Sequence, residues 1–170
     1  TLGKPIGNCH PMAAVVTTQA IADSMIASGI EYFNTYGGNN VSCAVGLKVL
    51  EIVRDEKLQE HAKKLGDYCI SKLTELQKEF SIIGDLRGTG LFLGIELVRD
   101  LKTLQPADEE TEFLCRHMKD NGVLISSDGP HHNVLKLKPP MCWTKEDADF
   151  FFSVFKNSLL ALQALNGKLE

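Results

Sequence analysis

The sequence predicts an α/β fold in which long amphipathic helices cover a small sheet. Two observations predict it. Apolar residues recur at helical spacing through residues 58–76 and again near the C-terminus, while short β-branched or alternating runs fall between glycine- and proline-rich turns.

In chain order, Ala13 to Thr17 is a short apolar run that reads as a strand, and Thr18 is placed to cap a helix over Gln19–Ala27 that Gly29 stops. Tyr32–Asn40 carries paired glycines and asparagines and reads as a loop. Val45, Val49, Ile52 and Val53 make a helix of Val41–Arg54, with Gly46 at a close contact. After Asp55 a longer helix runs to about Phe80 on the stripe Leu58, Ala62, Leu65, Cys69, Leu73 and Leu76.

Ile82–Leu86 and Leu91–Val98 read as strands, and Arg87-Gly88-Thr89-Gly90 is either the tight bend joining them or a bulge in one long strand. Pro106 and Asp108-Glu109-Glu110 open a helix with acids at its positive end, closed by Asn121-Gly122. Val123–Ser126 and Val134–Leu137 are further short strands. Thr144 with Asp147 resembles a capping box, and the helix that follows points Phe151, Val154, Phe155, Leu159 and Leu162 at a core. The character of the chain changes near residue 40, which sets a predicted boundary between 1–40, unable to build a core alone, and 41–170.

Composition bounds the function classes. The 170 residues are 44% hydrophobic and 24% charged, an ordinary globular balance. A net charge of −4 is a poor match to a polyanion, so nucleic acid is not an expected partner. Every apolar run is interrupted before it is long enough to span a bilayer, so no membrane segment is expected. Cys9, Cys43, Cys69, Cys115 and Cys142 form no C-x-x-C pair, which reads as reduced thiols in an intracellular protein. The chain opens at Thr1 without an initiator Met and is expected to be a piece of a longer protein whose targeting region, if any, lies upstream.

Three places carry possible chemistry. Lys4 stands in a constrained loop among Gly3, Pro5 and Gly7, where an amine can be fixed against a carbonyl group and act as nucleophile and proton carrier. Thr35 sits in the glycine-rich loop just before a helix, an arrangement suited to an anionic group or simply to a turn. Lys136 and Lys138 alternate along a strand before Pro139-Pro140, as a solvent-facing pair or as cations of a site. His131 and His132 have no ligand-spaced Cys or acid, so no metal is expected.

Taken in order, T-L-G-K-P-I-G-N-C-H-P at Thr1–Pro11, Y-F-N-T-Y-G-G-N at Tyr32–Asn39, L-R-G-T-G-L-F-L-G-I-E-L at Leu86–Leu97 and L-K-L-K-P-P-M at Leu135–Met141 resemble the C-terminal half of class III (ω-) aminotransferases. Within that family S-S-D-G-P at Ser126–Pro130 and K-P-P-M-C at Lys138–Cys142 resemble the alanine–glyoxylate aminotransferase 2-like branch, which includes phospho-lyases acting on ethanolamine phosphate and 5-phosphohydroxy-lysine; Gly129–Leu135 tilts the likeness to the former. The resemblance implies fold type I of the pyridoxal-phosphate enzymes, with residues 1–40 as the tail of the large domain and 41–170 as the small α/β domain. It implies that Lys4 holds pyridoxal phosphate covalently and is catalytic, and that Thr35 reaches the cofactor phosphate of another subunit in a homodimer or dimer of dimers. Lys136 falls where many relatives have an arginine that grips a substrate α-carboxylate. Cys9 and Asn40 depart from the family pattern, which usually has glycine and proline there.

The implied reaction is elimination of phosphate and ammonia from a phospho-amine, chiefly ethanolamine phosphate, in a mitochondrial or cytosolic enzyme. The alternatives are an ω-aminotransferase of the alanine–glyoxylate type and a non-catalytic truncated product or oligomerisation module.

Overall fold

The computed structural model describes residues 1–166. The chain forms two compact units, Thr1–Leu58 and Gln59–Glu170.

The first unit holds a 3-10 turn (Lys4–Gly7) and two helices, α1 (Gln19–Ala27) and α2 (Asn40–Asp55). The expected strand at Ala13–Thr17 is absent. Its one ladder contact is a bridge in which Leu2 and Ala14 exchange backbone hydrogen bonds at 2.7 and 2.9 Å. A β-branched run gains no ladder hydrogen bonds without a partner, and among the described residues no other segment pairs with it. Helix α1 has the expected bounds, but the Thr18 side chain makes no capping bond. The cap that does form is at α2, where Asn39 Oδ1 accepts from the N–H groups of Val41 and Ser42. Among the unit's residues only Gly7 and Gly46 are buried, so α1 and α2 keep large apolar side chains such as Ile21, Ile26 and Leu47 exposed.

The second unit combines α3 (Leu58–Glu79), β1 (Ile83–Thr89), β2 (Phe92–Leu97), α4 (Asp108–Asp120), β3 (Ser126–Asp128), β4 (Val134–Leu137) and α5 (Lys145–Asn166). The four strands form one antiparallel sheet in the order β1-β2-β4-β3. Arg87, Gly88 and Thr89 lie inside β1, and the hairpin turns at Gly90-Leu91. That resolves the open choice at this join in favour of two strands. Glycine is required at Gly88, whose φ is +137° and whose Cβ would meet the Phe92 carbonyl oxygen at 2.1 Å. The irregularity falls earlier, between Ile83 and Asp85, where Gln77 Nε2 donates to the carbonyls of Ile83 and Gly84 at 3.3 and 3.1 Å.

Alternation divides the sheet into two faces. Leu93, Ile95, Leu135 and Leu137 join Leu73 of α3, Leu114 and Met118 of α4, and Phe151 and Phe155 of α5 in one buried cluster. On the opposite face the row Arg87, Gly94, Lys136, Ser126 runs beside the row Asp85, Glu96, Val134, Asp128. The expected strand at Val123–Ser126 is displaced towards the C-terminus. Leu124 is 88% exposed, and pairing begins only at Ser126 against Lys136. Helix α5 opens with the expected capping box, in which Asp147 Oδ2 accepts from the Thr144 N–H at 2.9 Å and the Asp147 N–H donates to Thr144 Oγ1 at 3.1 Å.

Candidate functional site

The candidate residues divide between the two units. Lys4 opens the 3-10 turn with φ at +32°, with Pro5 following it. The loop after it continues through Asn8 at φ +46° and Cys9 at +78°, so three non-glycine residues within six positions take positive φ and bend the backbone. Two side chains brace it. His10 Nε2 lies 2.9 Å from Ser42 Oγ on α2. Met12 packs onto Gly7 and Gly46, where added Cβ atoms would stand 2.8 and 2.4 Å from its side chain. The close contact expected at Gly46 is therefore one with Met12. Lys4 itself is exposed, and among the described residues it enters no ion pair.

Thr35 lies in a turn organised by Asn34, whose Oδ1 accepts from the N–H groups of Tyr36 and Gly37 at 3.0 and 3.1 Å. Those two donors are thus spent within the loop. The Thr35 hydroxyl takes no part in this network and is exposed. A cavity of about 650 Å³ in the same unit is lined by Met12, Met25, Tyr32, Asn34 and Tyr36 among others, and neither Lys4 nor Thr35 lines it.

Lys136 sits in the second unit on β4, half-buried, with its Nζ 2.6 Å from Asp128 Oδ2. It borders a hollow of about 440 Å³ on the polar face of the sheet, lined also by Gly94 and Arg87, the next two positions in its row. Arg87 is bonded to Asp85 at 2.7 Å and to Glu96. Both acids hold its guanidinium above its ordinary pKa, the bond to Asp85 contributing most. The bond to Lys136, followed by the Gly129 N–H, keeps the Asp128 carboxyl below its ordinary value. Lys138 lies beyond the strand, exposed, with its Nζ 5.8 Å from the Phe92 ring centre. Sequence reasoning missed Asp128 as the partner of Lys136. The signal available was an acid directly before Gly129, two residues along the partner strand from the position facing Lys136.

No thiol offers a competing nucleophile in the core, since burial pushes Cys69 up to about 11. Among the described residues no cluster of His, Cys, Asp and Glu is arranged to hold a metal ion, and no helix is long and apolar enough to cross a membrane.

An unengaged lysine amine and a threonine hydroxyl are donors that fit pyridoxal phosphate, the first for its aldehyde and the second for its phosphate. In this structure no cavity of the first unit joins them into a site.

Residues 1–159 match the family model described as aminotransferase class-III. An alanine–glyoxylate aminotransferase 2-like protein of Drosophila melanogaster is 49% identical over 162 residues, which is 95% of this chain and 33% of that protein. An ethanolamine-phosphate phospho-lyase homologue of Caenorhabditis elegans is 44% identical over 86% of this chain and 32% of its own length. The chain thus spans about a third of the curated relatives it matches. Among solved structures, an Arthrobacter phospholyase in complex with phosphoethanolamine superposes with a TM-score of 0.87 at 40% identity, over 93% of this chain and 37% of that one. The mixed α/β architecture therefore matches part of the pyridoxal-phosphate-dependent aminotransferase fold, and the chain belongs to the class III aminotransferase family.

Proposed function

We propose that the chain is the C-terminal part of a pyridoxal-phosphate-dependent phospho-lyase that converts ethanolamine phosphate and water to acetaldehyde, ammonia and phosphate. The observation that carries this reading is the likeness, at 40% identity, to the Arthrobacter phospholyase bound to phosphoethanolamine. A lysine at position 136, where arginine would clamp a substrate carboxylate, supports it. When bound, pyridoxal phosphate supplies an electron sink for the carbon that bears the amine.

This chain's own residues have three roles in that reading. Lys4 Nζ would hold the cofactor covalently and would take the proton from the amine-bearing carbon of the substrate. Phosphate then leaves from the neighbouring carbon, and hydrolysis yields acetaldehyde and ammonia. The Thr35 hydroxyl donates to the cofactor phosphate of a second subunit, so the active form is a homodimer or a dimer of dimers. Lys136 faces the substrate and sets its preference. On the same ground residues 1–40 are the tail of the large domain and 41–170 the small domain. Relatives in Arabidopsis thaliana and Homo sapiens are named mitochondrial, which supports the mitochondrial alternative over the cytosolic one.

The second reading is transfer of an amino group to a keto acid, supported by the name of the Drosophila relative. The test is to incubate the full-length enzyme with ethanolamine phosphate. Equal release of phosphate and acetaldehyde, lost in Lys4→Ala, is the expected result; no release from an enzyme that carries its cofactor overturns the proposal.

A further inference from the structure

We propose that Asp128 is a specificity-determining positioning residue, which disfavours substrates bearing an α-carboxylate by neutralising Lys136. The inference rests on the reading that Lys136 faces the substrate.

Its basis is the register of the sheet. Ser126 stands opposite Lys136 and Asp128 opposite Val134, so Asp128 and Lys136 are diagonal neighbours on one face of adjacent strands. Lys136 Nζ donates to Asp128 Oδ2 at 2.6 Å, while Asp128 Oδ1 accepts from the N–H of Gly129 at 2.8 Å. The carboxylate is thus fixed at both oxygens, one of them by its own turn, and the lysine stem is the adaptable member of the pair. Across the hollow, Arg87 is already engaged by Asp85 and Glu96. The hollow is therefore lined by two cations, Arg87 and Lys136, each in contact with an acid, while Lys138 lies further along over Phe92.

A carboxylate entering beside Lys136 must displace Asp128 from its ammonium and then lie against a second negative charge. An arginine in the same place could serve two acids through its fork; the ammonium keeps N–H donors, but its charge is already balanced by Asp128, so a second acid gains little net attraction. A substrate without a carboxylate on its amine-bearing carbon meets no such penalty. The pair thereby does by occupation what the absence of arginine does by geometry.

The test uses the full-length, cofactor-loaded enzyme and the dissociation constants of L-alanine and of ethanolamine phosphate, read from the visible spectrum of the cofactor. Asp128→Asn keeps an oxygen for the Gly129 N–H and releases the lysine. It should shift the ratio of the two constants towards L-alanine by about tenfold, the scale of one charge-assisted hydrogen bond. Asp128→Glu should restore the ratio, and in a Lys136→Met background Asp128→Asn should leave it unchanged, which a merely structural role would not produce. An unchanged ratio in folded Asp128→Asn overturns the inference, as does the same shift without Lys136. Phosphate release by the wild-type enzyme is scored separately: its absence overturns the proposed lyase activity and leaves the Asp128 measurement to stand or fall on its own ratio.

Discussion

Gly66 of α3 lies so close to Gly90 at the hairpin turn that a Cβ on Gly66 would stand 2.1 Å from the Gly90 carbonyl oxygen. The helix is therefore seated on the β1–β2 turn backbone against backbone. Gly66→Ala cannot be absorbed by a side-chain rotation, because the obstacle is a peptide group. It should lower stability by about 1–3 kcal/mol, the usual cost of overpacking. Urea unfolding of the full-length protein checks it, and an unchanged midpoint would contradict the packing described.

The Cys9 backbone, at φ +78°, occupies the left-handed region that costs a side-chain-bearing residue roughly 1–2 kcal/mol. Cys9→Gly relieves that cost but adds freedom to the unfolded chain, so a net gain of about 0.5–1 kcal/mol is expected. Cys9→Val should instead destabilise. A thermal melt in which glycine and valine behave alike would show that the loop is not held in this conformation.

Much of the fold was legible in the sequence because the informative residues act locally. The stripe Leu65, Cys69, Leu73, Leu76 is buried as its spacing requires, and Phe151, Val154, Phe155, Leu159 and Leu162 are all in the core. The errors fall where pairing with a distant segment decides. Ala13–Thr17 has strand-forming residues and, among the described residues, no partner beyond Leu2. The β3 strand begins at Ser126, which pairs with Lys136 of β4, and the apolar Leu124 lies outside the ladder. At the candidate site, Lys4, Thr35 and Lys136 stood out through motif resemblance. Asp128 and the Met12 brace depend on contacts across elements and left no periodic trace.

Asp147 gives a pH prediction. Its carboxyl is held below the ordinary 3.8, chiefly by the Thr144 backbone N–H and then by the Thr144 hydroxyl. A folded-state value below the unfolded one adds stability that is complete above the unfolded pKa and is lost as pH falls through the folded one. The unfolding midpoint of the wild type should therefore fall more steeply below pH 4 than that of Asp147→Asn. Parallel acid limbs for the two proteins would remove the capping box from the account.

Residues 1–58 bury no large apolar side chain, so Lys4 sits on a unit without a core of its own. The 170-residue chain alone should hold pyridoxal phosphate no better than any exposed lysine does, and should lose it on dialysis. In the full-length protein Thr35→Ala should weaken cofactor retention about ten- to a hundredfold, the value of one charge-assisted hydrogen bond. Equilibrium dialysis measures both; stoichiometric, dialysis-resistant cofactor on the short chain, or an unchanged constant in Thr35→Ala, would contradict them.

The activity proposed for the full-length enzyme is elimination of phosphate in preference to transfer of nitrogen. One reaction tests it: the full-length enzyme, ethanolamine phosphate and pyruvate together, with phosphate and alanine measured in the same samples. Phosphate is expected to accumulate with each turnover and alanine is not, and Lys136→Arg is expected to move the balance towards alanine by about tenfold. Alanine formed in step with ethanolamine phosphate consumption, with no phosphate released, would contradict it.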